Sequence, residues 1–87
     1  MKTPPAPLKT LTADIPNGPT LTRTTNHDYK FVLAVRGGNS ATDESWGPLL
    51  WTTRRDLADK KLAYWRGINH RLEYPFTEMI IIPVNEA

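Results

Sequence analysis

The chain contains no cysteine, so no disulfide staples it, no thiolate serves as nucleophile, and no cysteine-based zinc motif can be drawn. That fits a reducing compartment. Histidine is nearly as scarce, with only His27 and His70. A catalytic nucleophile needs a base within hydrogen-bond reach. No motif ties either histidine to Ser40 or Ser45, and both read as surface residues in connecting segments. Carboxylates are scattered. Asp43-Glu44 is the one adjacent acidic pair, and its loop position marks a solvated pair rather than a hard-cation site. Gly37-Gly38 lacks the further glycines and the immediately following helix of a dinucleotide fingerprint. It reads as a turn that needs permissive backbone angles.

Long apolar runs are missing too. The longest, Met79–Pro83, is far too short to cross a bilayer. Lys2 is followed by prolines rather than by an apolar h-region, which argues against a signal peptide. Together these absences predict a soluble, cytoplasmic, non-enzymatic protein with no cofactor, no metal and no membrane contact.

What remains is short and unevenly charged. The 87 residues accommodate one domain with a modest core. The net charge of +2 lies entirely in residues 1–27, where Lys2, Lys9 and Arg23 face only Asp14; basic and acidic residues balance over 28–87. This weakens the inference from a basic isoelectric point to nucleic-acid binding, which needs positive charge gathered on the folded surface.

Residues 1–27 hold five of the eight prolines, with seven threonines and only separated apolar residues (Leu8, Leu11, Ile15, Leu21). Such composition offsets little ordering entropy by burial and predicts an arm, flexible or extended over the domain. A competing reading pairs the two threonine-rich stretches as a hairpin about Asn17-Gly18. Pro16 and Pro19 would confine that hairpin to an edge.

Tyr29–Arg36 is the clearest strand. Tyr29, Phe31, Leu33 and Val35 share one face, and Lys30, Val32, Ala34 and Arg36 the other. Residues 37–45 form a polar surface loop. Trp46–Trp51 is an extended run limited by Pro48, and Glu73–Val84 reads as a last, interior strand because Met79–Ile82 is apolar on both faces. Glu78 in that strand suits a cross-strand charge pair with Lys30 or Arg36.

Between these strands, Arg54–Arg66 has the pattern of a helix. Thr53 suits the N-cap with Asp56 three residues on, and Gly67 suits the C′ position. Leu57, Ala58, Leu62 and Trp65 fall in one arc of about 140°. Lys61 projects into the middle of that arc and Arg54 joins it at the first turn. Either these two side chains lie along the apolar surface with their charges at its rim, or part of the strip meets a partner.

The fold class expected is α+β: a small ββαβ domain over residues 28–87, a three-stranded sheet with one covering helix, plus the N-terminal arm. The second and third strands would be parallel and joined by a right-handed crossover through the helix. One sheet face would then be solvated, covered by residues 1–27, or buried in a homo-oligomer.

Trp46, Trp51, Tyr64 and Trp65 are more large rings than a core this size hides, with Trp51 and Trp65 the expected core members. Aromatics and arginine are the usual interface anchors. The predicted function is therefore a protein-interaction or regulatory module contacting a partner through Trp46, Arg54, Lys61, Tyr64 and Trp65, or self-associating as a homodimer through the uncovered sheet face. The alternative is a nucleic-acid-binding accessory protein using Arg54, Arg55, Lys60, Lys61 and Arg66 beside exposed rings.

Overall fold

The computed structural model describes residues 7–87; the first six residues of the predicted arm lie outside this range. The described elements are β1 (Lys9–Asp14), β2 (Thr20–Thr25), β3 (Phe31–Gly37), β4 (Trp46–Thr52), α1 (Arg55–Ile68), a 3₁₀ turn (Asn69–Arg71), β5 (Phe76–Pro83) and β6 (Asn85–Glu86). They form two three-stranded antiparallel sheets, ordered β2-β1-β6 and β4-β3-β5, with one helix. The expected single three-stranded sheet is thereby corrected: residues of the predicted arm, together with Asn85–Glu86, build a second sheet.

The hairpin explains the difference. Lys9 pairs with Thr25 and Asp14 with Thr20. At its tip, the amide of Gly18 donates to the Ile15 carbonyl at 2.9 Å, which makes Pro16 and Asn17 the central residues. Asn17 has φ of 58°. Proline before an αL residue is the pattern of a type II turn, so Pro16 shapes the turn instead of obstructing a strand. Along β1, Leu11 and Ala13 point inward and Ile15 continues their period, while threonine and aspartate alternate outward. Six residues of such alternation bury enough to dock the hairpin on a neighbouring sheet.

β3 takes the centre of the other sheet because both its faces are apolar. Val32, Leu33, Ala34 and Val35 are all buried. On one face Val32 and Ala34 pack with Ala13, Ile15 and Ile82. On the other, Leu33 and Val35 lie beneath α1, which contacts all three strands of this sheet. The sheet face for which self-association was a candidate covering is thus occupied by the chain's own hairpin.

β4 and β5 run in the same direction, but they are not neighbours: β3 lies between them and is antiparallel to both. The expected interior position of the last strand is likewise corrected, since β5 is at the end of its sheet. Its isoleucines are apolar on both sides because Ile80 and Ile82 meet the hairpin while Met79 and Ile81 lie on the helix side, opposite Val35 and Leu33. Two covered faces produce an apolar run without a central position.

The helix ends also differ from expectation. Arg54 occupies the N-cap with extended backbone and no side-chain cap bond. The Thr52 hydroxyl, one residue earlier than the predicted cap, accepts from the Arg54 amide at 3.2 Å. Gly67 lies inside the helix, which runs on into the 3₁₀ turn. There Asn69 exchanges two hydrogen bonds with the backbone of Phe76: its Nδ2 donates to the carbonyl at 3.0 Å and its Oδ1 accepts from the amide at 2.9 Å. This amide clamp fixes the end of α1 to the start of β5.

Candidate functional site

The helix covers its sheet face incompletely. Ala58 is its one buried residue among those described; Leu62, Trp65 and Ile68 are half-buried. Beside them runs a second stripe, Leu57, Lys60, Lys61 and Tyr64, at helical spacing of three or four residues. It faces β4 across an open groove of about 630 Å³. Leu50 and Thr52 contribute from β4, and Trp65 contributes from the helix. The two β4 residues face this side by alternation, because they pair with Leu33 and Phe31.

Tyr64 is 58% exposed and Leu57 39%. Leu8 is the one other exposed large hydrophobic among the described residues, so two of these three side chains border one groove. Tyr64 is held edge-on against Trp65 at 5.6 Å, and Trp65 in turn meets Phe76 at 6.0 Å. Such edge-to-face stacking fixes ring orientation. The Tyr64 ring is therefore presented from a supported position.

Charge around the groove is sorted by ion pairing. Arg54 binds Asp56 through two hydrogen bonds at 3.0 and 2.6 Å, and Arg55 reaches Asp59 at 3.2 Å. The Arg54 guanidinium holds the Asp56 carboxyl below the usual carboxylate range. Both helix acids are thus committed to arginines in the first turn. Lys60, Lys61 and Arg66 form no ion pair among the described residues. Lys61 instead places its ammonium 6.0 Å from the Tyr64 ring centre, at the outer limit of a cation–π contact.

Of the residues predicted for protein contact, Lys61, Tyr64 and Trp65 therefore come together at the groove. Trp46 does not. It pairs with Arg36 on the opposite sheet face and packs against the hairpin core. A Cβ added at Gly18 would stand 3.3 Å from its indole nitrogen. Trp51 lies on that same face, where Arg23 stacks over it and over Tyr29 at 5.8 and 5.0 Å. Arg54 sits at the helix start and is turned to Asp56. Among the residues predicted for nucleic-acid contact, Arg54 and Arg55 are ion-paired, while Lys60 and Lys61 border the groove. Leu50, Thr52 and Leu57 were not predicted. Leu57 carried a signal, since it and Tyr64 stand seven residues apart on one helical stripe; the β4 contribution depends on strand pairing that the sequence leaves unspecified.

The outer edge of β4 is blunted. Gly37 donates to the Ser45 carbonyl at 3.0 Å, which by alternation turns the backbone polar groups of Trp46 and Pro48 toward the outer edge. Pro48 has no amide to offer there. Between Leu33 and Ala34 the partner steps from Leu50 to Pro48, leaving Leu49 as a bulge. Proline and bulges are standard devices against edge-to-edge pairing.

Elsewhere, charged side chains pair with one another or with the backbone. Glu78 pairs with Arg36 at 3.1 Å, and Glu44 lies 3.6 Å from the same guanidinium. In the loop after β3, the Asp43 carboxylate accepts from the Ser45 hydroxyl at 2.5 Å and from the amides of Ser45 and Asn39 at 2.9 and 3.2 Å. These bonds, the Ser45 hydroxyl foremost, hold its pKa below the ordinary value. Among the described residues, no three histidine, aspartate or glutamate side chains gather as a metal site, and no helix is long and apolar enough to cross a membrane. Comparison with protein-family models, with curated proteins and with solved structures finds no match to this chain.

Proposed function

We propose that this small α+β domain is a non-enzymatic protein-interaction module, and that its contact surface is the groove between β4 and α1. The observation that carries the proposal is the placement of Leu57 and Tyr64. Folding alone rewards burying both, yet both stand exposed at the rim of an apolar groove. Tyrosine held rigidly beside a hydrophobic cleft is a frequent anchor type at interfaces.

Selection of displayed random peptides on the full chain, counter-selected on a Leu57→Ser, Tyr64→Ala chain, tests this. Groove binders are expected to lose at least about thirtyfold in affinity on the double variant, as anchor truncations do. A selection that enriches nothing sensitive to these two changes sinks the proposal.

A further inference from the structure

We infer that the groove takes an acidic segment of another protein, one that carries large apolar side chains between its carboxylates. The inference deepens the groove reading above and depends on it. Three observations narrow the occupant.

The first is charge. Asp56 and Asp59, the acids of α1, are each held by an arginine of the helix start. Lys60 and Lys61 line the groove and have no carboxylate partner among the described residues. The cleft is apolar in its floor and cationic along its helix rim, so complementary potential is negative.

The second is the edge of β4. Pro48 and the Leu49 bulge interrupt the backbone groups that strand addition would use. The occupant therefore docks by side chains entering between the helix and β4.

The third observation weighs against a second copy. A two-fold dimer through this groove would enclose Lys60 and Lys61 of both copies in one interface, while the acids of α1 are already held by Arg54 and Arg55. A nucleic-acid strand would satisfy the lysines through its phosphates but leave Leu50 and Leu57 without apolar contact.

The test uses the full chain, the peptides selected as described above, and a Lys60→Glu, Lys61→Glu chain. Selected peptides are expected to carry more aspartate and glutamate than the starting library, together with leucine, phenylalanine or similar residues. Their affinity should fall about tenfold or more on the lysine variant, two exposed attractions having become repulsions. It should also weaken with added salt. Binders sensitive to Leu57→Ser, Tyr64→Ala that are neutral or basic, or that ignore the lysine reversal, overturn the acidic partner while leaving the groove reading intact. Failure to find any groove-dependent binder removes both. Two further measurements bear on the alternatives. A concentration-dependent dimer in light scattering that Tyr64→Ala dissolves would assign the groove to a second copy. A lysine-dependent response to single-stranded oligonucleotides would assign it to nucleic acid. Either result overturns the inference.

Discussion

The two faces of the central sheet are covered by different means and to different degrees. On one, the β1–β2 hairpin brings Ala13 and Ile15 against Val32, Ala34 and Ile82, and all five are buried. On the other, α1 seals the middle over Leu33 and Val35 but leaves Leu50, Leu57 and Trp65 partly open along β4. The geometry of the coverings accounts for this. Two sheets meet as two broad surfaces about 10 Å apart, and small residues such as alanine permit close approach. A single helix touches its sheet along a narrow stripe, and a side of the sheet away from that stripe stays accessible. Both faces carry stability through their buried middles; the one under the single helix also has room for a partner along β4.

This contrast can be pressed from either side. The largest effect is expected beneath the helix, where Leu33 is wholly buried: Leu33→Ala should cost about 2–5 kcal/mol in urea unfolding. A loss below about 1 kcal/mol would show that this face is looser than described.

Next is overpacking of the sealed face. Ala13 has no accessible surface, so Ala13→Leu should destabilise by about 1–3 kcal/mol. If that variant unfolds like the parent, the hairpin adapts freely and the two faces are not so unlike.

Third comes the open stripe. Tyr64→Ala and Leu57→Ser are expected to cost about 0.5–1.5 kcal/mol each, for the half-covered contacts they lose, while removing groove binding. A cooperative loss of fold in thermal scans would place these side chains in the core instead.

The smallest effect concerns the polar loop after β3. Asp43 titrates below its ordinary value, so its charged form is favoured by folding. Its contribution is complete above the unfolded carboxylate range and fades as pH falls through the lowered folded value. The Asn39 and Ser45 amide resonances should shift with that titration, while those of β3 stay fixed. Movement of both sets together would mean that the loop is coupled to the sheet.

Much of the centre of this fold was legible in the sequence. The period-two pattern of β3 and the helical period of α1 are local signals. β3 keeps its two faces, while the expected apolar arc splits, with Ala58, Leu62 and Trp65 partly or wholly buried and Leu57 on the exposed stripe. The glutamate at 78 found its arginine because a lone charge on a half-covered strand has few partners to choose from. What was misread depended on distance along the chain. Leu11, Ala13 and Ile15 alternate, but the intervening threonines and flanking prolines resemble a disordered composition. Their value lies in a surface formed by residues 32, 34 and 82, which local reading does not supply. Pro16 counted against a strand when it belonged to the turn. Likewise, apolar residues on both sides of β5 suggest centrality, although the hairpin on one side and α1 on the other produce the same pattern. The groove lies between these cases: its helix stripe could be read, and its β4 wall could not.

The short strand β6 carries a consequence for how the molecule assembles. Its residues pair with Leu11 and Thr12, and the Ala87 amide donates to the Thr10 carbonyl at 2.9 Å. The hairpin can form early, since its contacts are local, but the third strand of its sheet comes from residues 85–86, beyond the whole central sheet. Closing so long a loop is slow relative to forming local turns. The apolar side of β1 therefore waits for the central sheet before it is covered, and the β1–β6 pairing closes a loop that contains that whole sheet. In pulsed hydrogen exchange, the Ala87 amide should gain protection after those of β3.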